Sequence, residues 1–383
     1  MFVKNLAKRS GASLALGAAL VLSAGCHSEV DWLPLAEQKI YVADKFFDVA
    51  ILDPKNAIVV GYGGKMITTS DGGFTWSQVD LGTQKSLYSI DFAPDGKTGW
   101  VVGQEGTILR TEDAGKTWTK QYTELWLDPK CSDPDERKFR LEDPEAPPCQ
   151  HAYLFAVNVI DENTAHIIGD KSTYSYTTDG GKTWHSRVLK VTAVKEVGAD
   201  MELALEDPVL YDVEFVDKSR GYIVGEFGKI YYTADGGQGF VEQQETLMDN
   251  TVIDILDLPT LFDIEFVTDQ HGIVAGLDGR IAETFDGGQN WDFLPNNVED
   301  YVDPFYSATI LSDGMRWVVG ASGQAVKAAT GEPFARADLG SRVNNWMRRV
   351  RFYKDDKHGW LVGGFGLIMN TEDGGKTWYR RIG

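Results

Sequence analysis

The residues of this chain best placed to do chemistry are charges set on short alternating stretches. Asp212 and Glu214 stand two apart within Leu210 to Phe215, and Asp263 and Glu265 repeat the arrangement within Leu261 to Phe266. Arg348, Arg349 and Arg351 crowd into Met347 to Phe352. Paired carboxylates can support acid–base hydrolysis of a glycoside, and clustered guanidinium groups can hold a carboxylate. The same side chains can instead neutralise one another as structural ion pairs. Cysteine offers a second chemistry at Cys26, Cys131 and Cys149. A metal site built from Cys131, Cys149 and His151 lacks a fourth ligand, whereas an exported pair of cysteines oxidises readily to a disulfide.

What must position these groups is a repeat. A glycine ends an apolar stretch at Gly61, Gly103, Gly169, Gly225, Gly276, Gly320 and Gly363. Ten residues after each stands Asp71, Asp113, Asp179, Asp235, Asp286, then Thr330 as the exception, then Asp373. Five further on come Trp76, Trp118, Trp184, Phe240, Trp291, Ala335 and Trp378. The aspartate can accept backbone N–H bonds inside a tight turn, the glycines supply positive φ, and the indole packs against a neighbouring layer. The aspartates are therefore read as structural. Each unit opens on an alternating strand, such as Phe46 to Ile51 or Leu87 to Phe92, followed by three more strands. A unit this small cannot bury its own core, so copies must stack. Seven units of four antiparallel strands predict an all-β, seven-bladed β-propeller, with the alternating strand innermost in each blade. An open solenoid is the competing architecture, but the first and last units show no polar cap. Closure would set Arg349 beside Asp48.

The predicted organisation is a signal segment at 1–25, a tether and closing strand at 26–45, and the propeller at 46–383. Within the tether, a first strand is expected around Trp32 to Tyr41; Trp378 to Ile382 is the other candidate for closing the ring. Insertions fall at about 121–150, 186–209 and 241–260, because the glycines are spaced 42, 66, 56, 51, 44 and 43 residues apart. Each insertion joins an outer strand to the next inner strand, so the three emerge on the rim opposite the aspartate turns. They are acidic, with Asp133, Asp135, Glu136, Glu142, Asp143 and Glu145 in the first. The second holds Glu196, Asp200, Glu202, Glu206 and Asp207, and the third Glu242, Glu245, Asp249, Asp254 and Asp257. Loops on a rigid scaffold are where binding concentrates, although a solvated crown would look the same.

Charge narrows the partners. With 37 basic against 57 acidic residues the net charge is −20, which argues against nucleic acid and against electrostatic adhesion to anionic lipid. Lys4, Lys8 and Arg9 precede an apolar run that is too short to span a bilayer and has the form of a secretory signal. It ends in Leu22-Ser23-Ala24-Gly25-Cys26, which resembles a bacterial lipobox; that resemblance implies lipidation of Cys26 and a membrane association through the acyl chains. His27 after the cysteine, where aspartate would favour inner-membrane retention, points to an outer-membrane lipoprotein facing the periplasm, with a secreted or periplasmic soluble protein as the alternative.

The motif Gly-Trp-Val-Val-Gly at residues 99–103, then Thr111-Glu112-Asp113-Ala114-Gly115-Lys116-Thr117-Trp118, resembles the Asp-box, or bacterial neuraminidase repeat. Repeated over residues 46–383, it is similar in particular to the photosystem II stability and assembly factor family. That resemblance implies a non-enzymatic scaffold, without cofactor or metal, a monomer by itself, which helps a membrane protein or envelope complex subunit to assemble or operate. It also implies an arginine-rich patch that engages the client, here Arg348, Arg349 and Arg351, with Asp212, Glu214, Asp263 and Glu265 beside them; replacing the arginines by alanine should then abolish partner binding with thermal stability nearly intact. The alternative is a carbohydrate-active propeller, sialidase-like or glycan-binding. Against it, the Phe/Tyr-Arg-Ile-Pro signature of sialidases is absent, no Ser/His/Asp order stands out, and no glycine-rich phosphate loop opens a helix.

Overall fold

A computed structural model describes residues 38–122, 125–189, 207–243, 247, 258–295 and 303–382. Cys26, Trp32 and the acids from Glu196 to Glu206, Glu245 to Asp257 lie outside the described residues. Seven four-stranded antiparallel sheets follow one another along the chain. In the first, Phe46–Ile51 is innermost, followed outward by Ala57–Gly61, Met66–Thr69 and Ser77–Gln78. The remaining inner strands are Leu87–Phe92, Leu154–Val159, Leu210–Phe215, Leu261–Phe266, Phe305–Ile310 and Met347–Phe352.

In six blades the second strand is buried throughout, as in Gly99–Gly103 and Gly359–Gly363, and in blade six it is buried from its second residue, because both faces of the strand meet a neighbouring blade. Seven apolar clusters result, each shared by two adjacent blades, and one joins Phe46, Val49 and Trp76 of blade one to Trp360, Val362 and Ile368 of blade seven. Seven interfaces for seven blades make the array a closed ring, not a solenoid. Trp100, Trp317 and Trp360 are wholly buried in these interfaces. Truncating any one to alanine would cost about 3–5 kcal/mol.

The aspartate turn holds each blade's outer hairpin. Asp71 Oδ1 accepts from Thr69 Oγ1 at 2.8 Å and from the Thr75 amide at 2.9 Å, while Oδ2 accepts from Thr75 Oγ1 at 2.6 Å. Those bonds keep the Asp71 carboxyl at about 2, well below the usual range, although burial pushes the other way. Gly73 has φ +85°, and a Cβ there would come within 2.8 Å of the Trp360 ring, so glycine both makes the turn and admits the indole of adjoining blade seven. Asp113, Asp179, Asp235, Asp286 and Asp373 hold the equivalent turns. In blade six Thr330 bonds the Gly314 carbonyl instead, and Phe334 is buried in place of the missing indole.

Residues 38–44 form no strand, Tyr379–Arg380 is the fourth strand of its own blade, and among the described residues no blade borrows a strand from the other terminus; residues 32–37 of the N-terminal candidate lie outside the described residues. The seam is closed by side chains and single bonds. Ile40 enters the apolar cluster, the Gly366 amide donates to the Asp44 carbonyl at 2.8 Å, and Asn370 Nδ2 donates to the Gly72 carbonyl at 3.3 Å. Residues 38–45 run to the inner end of blade one, where the outer edge is already occupied by Ser77–Gln78.

Candidate functional site

The first residue of every inner strand pairs with the glycine that ends strand two, and pairing then skips a residue. This bulge leaves the second residue unpaired at the end of the strand. In six blades that residue is aromatic: Phe47, Tyr88, Phe155, Tyr211, Phe262 and Tyr306. In the seventh it is Arg348. Neighbouring rings touch in series, with centroids 5.4 Å apart for Phe47 and Tyr88, 5.3 Å for Tyr88 and Phe155, 5.8 Å for Phe155 and Tyr211, and 5.0 Å for Tyr211 and Phe262. Trp346 stacks on Phe47 at 6.1 Å and completes an aromatic collar around one mouth of the channel. The collar encloses a cavity of about 330 Å³.

Arg348 lines that cavity and donates from Nη1 to the Tyr306 carbonyl at 2.9 Å. Among the described residues no carboxylate lies within ion-pair distance of it. Burial and the neighbouring Arg349 lower its affinity for its proton, but it remains a cation.

Below the collar, the third and fifth residues of the inner strands face the axis. Many of these polar side chains accept the free backbone N–H of the next blade, which an inner edge strand would otherwise leave unpaired. Asp48 Oδ2 accepts from the Ile90 amide at 3.0 Å, Asp91 from Val159 at 2.7 Å, Asp212 from Ile264 at 3.3 Å, and Asp263 from Ala308 at 2.7 Å. Glu265 binds Thr309 Oγ1 at 2.6 Å and the Ile310 amide at 3.3 Å. Asn158 accepts from the Phe215 amide and reaches Glu214 at 3.3 Å.

Arg349 spans the channel. Its Nη1 hydrogen-bonds Asp263 and lies 3.4 Å from Asp212, while Nε lies 3.3 Å from Asp48 in ion-pair range without a hydrogen bond. Arg351 sits 3.6 Å from Asp48 and 4.0 Å from Asp91. Burial pushes the Asp48 carboxyl up, yet Arg351, Arg349 and the amides of Ile90 and Val49 outweigh it and hold the group below its ordinary value. With fewer compensating partners, burial raises Asp91 to about 6 and Asp212 to about 7, and it raises Glu214 strongly, aided by Glu265 and Asp212.

The structure thus separates the residues singled out by sequence. Asp212, Asp263, Glu265 and Arg349 are interblade staples; Arg349 is 5% exposed. For Arg349, the expectation that alanine leaves stability nearly intact is corrected, because its removal would take the guanidinium from buried Asp212 and Asp263 and leave Asp48 with Arg351 as its one cation. Arg348 alone of the three arginines reaches the collar. Sequence reasoning missed the collar itself, although an aromatic at the second place of six inner strands was a visible signal.

The insertion after blade two stands on the collar's face, where the Gly106 amide donates to the Ala152 carbonyl at 2.8 Å. It carries a helix at Pro134–Glu142, capped by Asp133, whose side chain accepts from the Asp135 amide at 2.9 Å. Arg140 is held between Asp128 and Glu136, so part of the acidic crown is internally neutralised. Cys131 and Cys149 are joined as a disulfide, which leaves His151 to stack on Trp126 with centroids 3.8 Å apart.

The fold and its turns define a seven-bladed Asp-box propeller with a collared, polar channel. A sequence profile described as Photosynthesis system II assembly factor YCF48 matches residues 27–132 and 249–344, and the chain belongs to that family. It is 27% identical, over 84% of its length and 97% of the relative's, to the Photosystem II assembly lipoprotein Ycf48 of Trichormus variabilis. Among solved structures, one described as YCF48 bound to D1 peptide superposes with a TM-score of 0.62 at 18% identity, covering 87% of this chain and 95% of that one. YCF48 from Cyanidioschyzon merolae gives 0.63 at 16% identity, with coverage of 86% and 96%.

Proposed function

We propose that this protein is a lipid-anchored, non-enzymatic scaffold that holds a segment of a membrane protein or envelope complex subunit during assembly or operation of the complex. The observation that carries the reading is Arg348: a cation with no carboxylate partner among the described residues, set in an aromatic cavity at the mouth of a rigid ring. Such a site suits an apolar segment bearing a carboxylate, since the collar supplies contact area and Arg348 a directed charge. Membership of the YCF48 family supports the same reading, as does the relative described as bound to a D1 peptide. The channel carboxylates, which sequence could offer as hydrolytic groups, are engaged by Arg349, Arg351, backbone amides and, for Glu214, the Asn158 amide, an arrangement that serves closure of the ring. Lipidation at Cys26 and a periplasm-facing outer-membrane location complete the proposal, with the anchor keeping bait and client together. Crosslinking in native membranes followed by purification of this chain tests it. Recovery of a membrane subunit is expected; turnover of a glycoside across a broad glycan panel, without any crosslinked subunit, would favour the carbohydrate-active alternative.

A further inference from the structure

The collar's face carries a second aromatic feature at the seam of blades one and seven. Tyr62 and Phe365 occupy equivalent turns of these two blades and are 61% and 55% exposed; Tyr41 and Val42 beside them are 47% and 76% exposed. The group is contiguous. Lys45 Nζ lies 5.2 Å from the Tyr62 ring, and Lys65 Nζ lies 5.1 Å from the Tyr41 ring and 3.3 Å from Asp44. The Asp44 carbonyl accepts from Gly366, next to Phe365, and Lys45 pairs with Gly364. Phe365 has φ +58°, a left-handed conformation that costs a bulky side chain on the order of 1 kcal/mol, and here that ring is not repaid by burial.

Two further facts select the occupant. The chain from Cys26 arrives at this seam, because Gln38 begins the segment that leads through Tyr41 to blade one. Twelve residues span at most about 40 Å, so an acylated Cys26 would hold this edge of the ring near a bilayer. The acidic insertions follow blades two, three and four, away from the seam, and so leave its lysines and aromatics as the locally favourable surface. Tyrosine and phenylalanine rings with lysines over them are the composition that settles at the headgroup level of a membrane.

We propose that Tyr41, Val42, Tyr62 and Phe365 form a bilayer-contacting patch that tilts the propeller so that its channel mouth opens along the membrane. This rests on the acyl anchor of the proposed function. The test uses the full lipidated chain in phosphatidylcholine vesicles, with a nitroxide on Val42→Cys and, separately, on Lys97→Cys in an exposed loop of the opposite face. With Cys26 acylated and Cys131 bonded to Cys149, the introduced thiol is the one labelled. The expected result is a several-fold higher ratio of oxygen to nickel-chelate collisions at position 42 than at 97, lost when Tyr62→Ser and Phe365→Ser are added. Equal ratios at the two positions on a chain that floats with vesicles would overturn the patch and leave the anchor standing. A chain that fails to float would overturn the anchor and the patch with it.

Discussion

Arg349 Nε on the last inner strand lies 3.3 Å from Asp48 Oδ1 on the first, and the same guanidinium bonds Asp263 of blade five. One side chain therefore ties the chain's two ends to the far wall of the channel. Arg349→Ala should destabilise the protein by about 3–5 kcal/mol, since Asp48, Asp212 and Asp263 would be left buried without their shared counter-charge. Urea unfolding measures it; a change below about 1 kcal/mol would mean that the staple is dispensable.

The channel should make stability fall with rising pH. Asp91 and Asp212 hold protons up to about 6 and about 7, and Glu214 and Glu265 are also raised, whereas unfolded carboxyls release theirs near 4. The folded state binds more protons across that window, so this contribution is full below about pH 4 and lost on passing pH 6 to 7. Asp71, Asp113 and Asp179, at about 2, act oppositely: their contribution is full above about pH 4 and lost as pH falls toward 2. Thermal scans should show a lower Tm at pH 8 than at pH 5, with the difference reduced in Asp212→Asn, whose amide oxygen can still accept from Ile264. An equal slope in that variant would assign the effect elsewhere.

The turn chemistry has a built-in control. Asp113→Ala removes bonds from Thr111 Oγ1, Thr117 N and Thr117 Oγ1, and should cost about 1–3 kcal/mol. Thr330→Ala in blade six, which lacks that network, should cost less by the same denaturant measurement.

The disulfide should act locally. Cys131 and Cys149 are 18 residues apart, a separation worth about 3 kcal/mol of loop entropy, but the loop they close lies outside the blades. Replacing both by serine should expose residues 125–152 to protease while the Tm of the ring stays nearly constant. A large Tm loss would show that the insertion supports the propeller.

Much of this was legible because the repeat is written in residues with separate physical jobs. Asp113, Gly115 and Trp118 recur at fixed spacing, and the spacing alone counted the blades. The pairing of Arg349 with Asp48 followed from closing the ring on paper. The reach of Arg349 to Asp212 and Asp263 did not, because contact across a channel depends on its width and not on chain order. The collar went unread for a different reason: alternation assigns Phe47 or Tyr211 to one strand face, whereas the bulge at that place turns each ring toward the mouth. Of the stretch from Trp32 to Tyr41, only residues 38–41 are described; they lead without strand toward blade one, and Ile40 fills the seam, a contact that alternation alone could not assign.

The most direct test of the scaffold reading is quantitative crosslinking of the lipidated chain to its client in native membranes, comparing wild type with Arg348→Ala and using Arg342→Ala, an exposed arginine outside the collar, as the control. Recovery of the client should fall at least about tenfold for Arg348→Ala, the loss of one charge-assisted contact, with Tm and control recovery unchanged. Undiminished recovery by a folded Arg348→Ala chain would contradict the scaffold reading.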